Sequence, residues 1–456
     1  MMLLLLLVLL AFVIFYGILQ LDIPGSWKFL LVVIEMLAVN QILIKKYKFP
    51  SEMGLVLLKN NGGIGIIDDL ARHGKAFDFI SDVGTTASYG LMSFLLMRRN
   101  VSALSMASGL ILLGLLVVLV APVALAFLMQ VASLGSGEQS VGQMANGSNI
   151  GFLLVLGLIV AGGLFLLILF GLAYYGVVVF TAIVESIAGV SDRISDTAPG
   201  GALLLPGVNL PLFEGILALA IVMVVHEGAH AVLARIGKIP VLSSGIVLFG
   251  VIPIGAFVEP DEKKLFKTEP VRQTRVLVAG PTANLITSLL FFLLFMGFFY
   301  TTQDFREEGL LVSSGLEKGT IIYAIGGNEI DPYAINLANF TGFNLPKNSE
   351  VELQTSKGTI VRETDENGKM GITFTVLRKD TIFAAYSVPA LGFIYMVLGL
   401  SVALNFVVGT VNILPVPLFD GYRIIDANIK NKLIVNALSY SALLFFVLNF
   451  LPLLFR

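Results

Sequence analysis

Eight predominantly apolar runs, at 1–21, 29–44, 104–132, 150–182, 212–236, 276–300, 388–412 and 433–455, dominate this 456-residue chain. A helix of about 20 apolar residues crosses the roughly 30 Å hydrocarbon core of a bilayer, so the chain is predicted to cross a membrane repeatedly. Composition agrees: charged residues make up 13% of the chain, against roughly 25% in a soluble domain, and mean hydropathy is +0.90. Residues 1–21 lack a basic leader and a small-residue cleavage site, so they are expected to form a membrane hairpin with 29–44. Net charge is −2, which leaves no basic surplus for a phosphate backbone and excludes nucleic acid as a partner. With no cysteine, thiolate metal sites and cysteine nucleophiles are excluded, and any imidazole chemistry must use His73, His226 or His230.

Basic residues in short loops orient the spans. Lys45, Lys46 and Lys48, then Lys238, Lys263, Lys264, Lys267, Arg272 and Arg275, then Arg423, Lys430 and Lys432 assign three loops to the cytoplasm. That places 301–387 outside and requires the run at 212–236 to enter from outside. The runs at 104–132 and 150–182 give an even number of crossings where an odd number is needed. Admitting 79–97 as a ninth span corrects the count but puts Arg98 and Arg99 outside.

The segment 301–386 holds 20 charged residues in 86 positions, nearly twice the density of the whole chain, and so faces water. Thr320–Ile325, Glu350–Thr355, Thr359–Thr364 and Ile372–Leu377 alternate, are rich in β-branched residues, and are separated by turns such as Gly326-Gly327-Asn328. They predict a small β-rich domain. Its opening, Gly309-Leu310-Leu311-Val312 followed by Gly315-Leu316-Glu317-Lys318-Gly319-Thr320-Ile321-Ile322, resembles a PDZ domain, which implies a peptide ligand.

The chemistry is concentrated inside the run at 212–236. His226-Glu227-Gly228-Ala229-His230 sets two imidazoles four residues apart, on one face of a helix. Zinc accepts neutral imidazole nitrogens, and Glu227 is placed to act on a water at the metal rather than to bind it. Polar residues within a helix bundle also pair structurally, but each charge at a span centre costs about 2.5–3.5 kcal/mol and usually marks an ion path or a reactive site. A catalytic zinc takes three protein ligands. His73 lies in a polar stretch, so an acid must complete the set. Asp420 is the best candidate: Asn412-Ile413-Leu414-Pro415-Val416-Pro417-Leu418-Phe419-Asp420-Gly421 ends a span with two prolines that cannot continue a helix. Irregular backbone at that depth must face protein or a cavity. Asn284 and Asn412 are buried amides that suit either hydrogen bonding to the substrate backbone or the zinc-site carboxylate, or hydrogen bonding between helices. Residues 244–259 read either as two short strands, with Gly250 and Gly255 as breaks, whose edge would pair with an extended substrate, or as an amphipathic loop lying on the membrane.

His-Glu-x-x-His in one span and Asn-x-x-Pro-x-Pro-x-x-Asp-Gly after a later one resemble the site-2 protease family of intramembrane zinc metalloproteases. Leu205-Pro206-Gly207-Val208 with Pro211, and Gly280-Pro281-Thr282-Ala283-Asn284, are similar to that family too, as is a PDZ-like insert between core spans. The resemblance covers residues 205–455. It implies a zinc metalloendopeptidase with Zn2+ held by His226, His230 and Asp420, and with Glu227 as the catalytic acid and base. Its partners would be transmembrane protein substrates and membrane lipids.

The predicted fold is an all-α polytopic membrane protein of about eight or nine spans, with a PDZ-like extramembrane domain and a short membrane-associated β segment. Its expected parts are an N-terminal transmembrane region (1–204), a first catalytic half (205–300), the PDZ-like domain (301–387) and a second catalytic half (388–456). The expected location is a prokaryotic cell membrane, with the site nearer the cytoplasm. Against the protease stand an ion- or proton-coupled transporter and a catalytically inactive peptide-binding scaffold.

Overall fold

The computed structural model describes residues 2–455 apart from 22, 24, 53, 61–62, 137–148, 202–203, 208–209, 318, 336–341 and 383. Val208 and Lys318, quoted in the motifs above, lie outside the described residues. Among the described residues the chain is mostly helical, and eight helical stretches are long and apolar enough to cross a membrane.

An apolar hairpin opens the chain: α1 (Met2–Gln20) and α2 (Gly25–Lys45), followed by β1 (Ser51–Glu52) and β2 (Leu55–Asn60). Next come α3 (Ile64–Ala71), α4 (Gly74–Tyr89) and one helical turn, α5 (Ser93–Leu96). Two helices, α6 (Ala103–Leu115) and α7 (Ala121–Ser136), join through a π-turn, and α8 (Asn149–Ile187) and the short α9 (Arg193–Asp196) complete the first part. Then α10 (Leu212–Ile236) carries both motif histidines, and β3 (Val241–Phe249) and β4 (Ile252–Pro260) form the anticipated hairpin. After α11 (Glu262–Leu265), α12 (Pro270–Thr301) leads into the polar insert. Finally α13 (Pro389–Val411), α14 (Asp420–Asn428) and α15 (Lys432–Leu448) close the chain.

Helix ends follow local chemistry. Pro270 and Pro389 open α12 and α13 where their missing N–H costs nothing. Asn431 caps α15 by accepting from Leu433 and Ile434 N–H.

The insert forms a sheet of β5 (Gly309–Ser314), β6 (Ile321–Ile325), β7 (Asn328–Glu329), β8 (Glu350–Thr355), β9 (Gly358–Glu363) and β10 (Thr373–Leu377). Its order is β10-β5-β6-β8-β9, with β7 on β6. Strand β8 alternates buried and exposed residues, and Val351 and Leu353 join Leu310, Val312 and Ile322 in a small core. A six-residue segment, 336–341, lies outside the described residues, and a PDZ fold is not established by this sheet. Arg306 fixes the insert to the bundle: it is buried, donates to Phe299 O at 2.7 Å, and stacks 3.6 Å over the Phe299 ring.

The β3–β4 hairpin belongs to a larger sheet than two strands imply. Strand β2 pairs along β3 from Val56↔Leu248 to Asn60↔Ser244, giving the order β1-β2-β3-β4. Lys59 reaches across β3 to Glu259 at 2.7 Å, and Ser243 adds a second hydrogen bond. These partners hold the Glu259 carboxyl below its ordinary range. One edge of the hairpin is therefore covered, and β4 is left as the terminal strand.

Residues 79–97 are divided among α4, a 3-10 turn and α5, and are not among the helical stretches long and apolar enough to cross a membrane. Helix α4 is polar and buried, with Ser81, Asp82, Thr85, Thr86 and Ser88 all inaccessible or nearly so. It is tied to the basic end of the bundle by Asp78–Arg272 and Asp82–Arg275, each at 2.7 Å, while α3 is tied there by Asp68–Arg235 at 2.7 Å. It stops at Gly90, where φ is +55°.

Helix α8, which carries the run at 150–182, is not continuous. Gly163 breaks it with φ 61° and ψ −151°. The break lies backbone to backbone against Ala87 and Gly90, and Phe165 packs on Tyr89. Beyond the break the helix runs beside α15, so that Leu172 O accepts from Asn449 at the end opposite α14. Gly200 N–H donates to Asn449 O there. The stretch 150–182 is thus interrupted at Gly163 rather than one continuous helix.

A Cβ on Gly163 would lie 2.6 Å from Gly90 N and 2.7 Å from Ala87 O, backbone atoms that cannot swing aside. Gly163→Ala is expected to destabilise the protein by about 3 kcal/mol from strain and overpacking together. The check is the unfolding temperature in detergent, with Gly171→Ala, which meets nothing within 4 Å, expected to leave it unchanged.

Candidate metal centre

Helix α10 presents His226 and His230 on one face, their rings 4.7 Å apart. The loop after α13 brings the third group. Val411 ends that helix, Pro415 and Pro417 prevent its continuation, and Asp420 begins α14. Leu418 sits at φ +84°, an uncommon conformation for a bulky residue, in the turn that delivers the carboxylate. Gly421 has to be glycine, since a Cβ there would stand 2.1 Å from Ile413 O.

Together, Asp420 Oδ2 lies 3.3 Å from His226 Nε2 and 3.3 Å from His230 Nε2, and the two nitrogens are 3.1 Å apart. The three side chains are only 8%, 12% and 16% exposed. These donors suit zinc. Bonds of about 2.0–2.2 Å to nitrogen and carboxylate oxygen set neighbouring ligands of a tetrahedron about 3.3–3.6 Å apart, close to the separations here. Three donors leave a fourth position for a water or substrate oxygen. Among the described residues this is the group of His, Asp and Glu side chains that could hold a metal ion.

Neighbouring groups set the imidazoles in the right state. His230 Nδ1–H donates to Val276 O at 2.7 Å, which leaves Nε2 with its lone pair free. Asn284 lies 3.1 Å from His226 Nδ1, while its Oδ1 is buried without a partner. Nitrogen and oxygen of an amide exchange by a half-turn. Turned so, Asn284 Oδ1 accepts from His226 Nδ1–H, its orphaned oxygen is satisfied, and His226 Nε2 is also free to ligate.

Helix α12 passes unusually close. A Cβ on Gly280 would fall 2.4 Å from His230 Nε2 and 2.7 Å from His226 Nε2, in the space where those nitrogens meet. Sequence reading noted Gly280 only as part of a similar string; its role depends on helix packing.

Glu227, one residue past His226, turns toward the sheet, and its Oε2 accepts from Val258 N–H of β4 at 3.1 Å. Gly255 lets β4 lie on α10, since a Cβ would meet Met223 Cε at 2.8 Å. Two further residues named from the sequence make other contacts. Gly250 is the hairpin turn, at φ +63°, its N–H donating to Asn40 of α2. The Asn412 side chain donates to Val408 O in its own helix, and only its backbone O touches the site, through Gly421 N–H at 2.7 Å. His73 precedes α4 and is not part of the cluster.

Residues 214–452, just over half of the chain, match peptidase family M50. The chain belongs to peptidase family M50. This is the site-2 protease family of metalloproteases, and the matched region spans all three donors and Glu227. An uncharacterized protein of Methanocaldococcus jannaschii is 31% identical over 255 residues, which cover 53% of this chain. The chain spans 64% of that relative's length. No solved structure matches it at a significant level.

If the close passage of α12 is what admits the ion, Gly280→Ala should abolish zinc binding, whereas Gly297→Ala on the same helix, with nothing within 4 Å, should not. Metal analysis of the purified variants measures this, with about one zinc per chain expected in the parent and in Gly297→Ala.

Proposed function

We propose that the chain is an intramembrane zinc metalloendopeptidase that hydrolyses peptide bonds of transmembrane proteins. The observation that carries the reading is the meeting of His226, His230 and Asp420 at 3.1–3.3 Å beside Glu227, in a chain whose described residues include eight helices long and apolar enough to cross a membrane. Zinc bound there supplies a Lewis acid that polarises a peptide carbonyl and acidifies a water. Glu227 takes the proton of the attacking water and delivers it to the leaving amine nitrogen, a role worth about 10²–10⁴ in rate. Burial of the donors excludes bulk water and strengthens each charge interaction.

A helical substrate hides its peptide bonds and must be extended to be cut. Strand β4 is the free edge of its sheet and runs beside α10, with Val258 at Glu227. A substrate strand added there would lie along the reactive groups. Because β2 occupies the β3 edge, only the β4 side is available. Residues 205–300 and 388–456 act as two halves of one catalytic core, and the insert serves as a peptide-binding module of PDZ type. The lysine- and arginine-rich end of the bundle faces the cytoplasm of a prokaryotic cell, placing the insert outside.

The test uses purified protein in detergent with a model transmembrane peptide. Glu227→Gln should keep zinc and lose cleavage by at least about 10²-fold, and Asp420→Ala should lose both. Metal-free parent protein, or cleavage surviving in Glu227→Gln, would falsify the reading.

A further inference from the structure

Tyr89 ends α4, more than 120 residues before the region matched to the family. It is fully buried, and its hydroxyl donates to Ile413 O at 3.1 Å, bridging 324 positions of sequence. That carbonyl belongs to the loop that carries Asp420. From its other side it is pressed by Gly421, whose Cβ, were there one, would fall 2.1 Å away, and Gly421 N–H is held by Asn412 O at 2.7 Å. The path from Tyr89 to the metal ligand therefore runs through one hydrogen bond and one close backbone contact.

Helix α4 is well placed to act as a strut. Its basic end is clamped to α12 by Asp78 and Asp82, and Ser81 Oγ donates to Arg275 O at 2.9 Å. At mid-length Gly84 lies flush against Thr282, two residues past Gly280. The Tyr89 ring is fixed at 5.2 Å from Phe165. Helix α12 holds the histidine side of the cluster and, through α4, the carboxylate side as well.

We propose that Tyr89 is a positioning residue for the metal centre: its hydroxyl sets the loop that delivers Asp420, so the N-terminal part of the chain completes the zinc site. The inference rests on the proposed zinc reading. Groups that orient a metal ligand typically change metal affinity about 10–100-fold when removed, because the ligand must then be ordered by the ion itself.

The experiment measures zinc affinity of the full-length protein by chelator competition, the absorption of the cobalt-substituted protein, and the unfolding temperature of the metal-free form. Tyr89→Phe should weaken zinc at least about tenfold and alter the cobalt bands while metal-free unfolding stays near that of the parent. Phe165→Leu loosens the ring but keeps the hydroxyl, and should lower the unfolding temperature with little change in zinc affinity. Parent-like zinc affinity and cobalt bands in Tyr89→Phe, or equal losses of affinity in both variants, would overturn the proposal. A parent that binds no zinc would instead overturn the metal-site reading beneath it.

Discussion

One carboxylate and two imidazoles are gathered within 3.3 Å in a space from which water is largely excluded. Such a cluster opposes folding unless something compensates for it, since buried polar groups are tolerated only when paired or bound to metal. A dication held there would answer this by joining α10 to the start of α14, and its binding energy would then also be folding energy. The surrounding architecture serves the approach: Gly280 removes the side chain that would fill the site, Gly421 allows the loop to double back, and Asn284 and Val276 set the imidazoles.

Around this centre the chain uses two kinds of non-helical backbone. Strands β3 and β4 enter alongside α10, with Gly250 reaching α2 at Asn40 and Val258 reaching Glu227. Broken helices supply the other kind: α4 stops at Gly90 and α8 bends at Gly163, and the two breaks pack on each other. In lipid such backbone survives only where protein covers it. The first 200 residues provide much of that cover, as α1 and α2 pack on the hairpin turn and β2 closes one edge of the sheet.

Much of the fold was readable because the signals are local. Each apolar run between 1 and 455 became part of a helix, and Glu350–Thr355 became β8 with its alternation intact. Segment 244–259 formed two strands, as its β-branched residues and glycine breaks suggest. Less was readable where one residue carries the decision. Nothing in the apolar text of 150–182 marks Gly163, among several glycines, as the one at positive φ; that choice is made by the backbone of Gly90 across the interface. Leu55–Asn60 was passed over because a six-residue strand shows its purpose only when β3 lies beside it. The partners of the α4 aspartates were not readable either, since Arg272 and Arg275 lie nearly two hundred positions away.

By itself the sequence determined the donor types and their local placement: helical periodicity fixes His226 and His230 on one face, and two prolines end the helix before Asp420. Tertiary structure decided how near these groups come and in what state. Whether Gly280 passes over the imidazoles, which atom of Asn284 faces His226, and how Tyr89 meets Ile413 are matters of helix packing. Packing depends on surfaces distant in the chain, which no local pattern encodes.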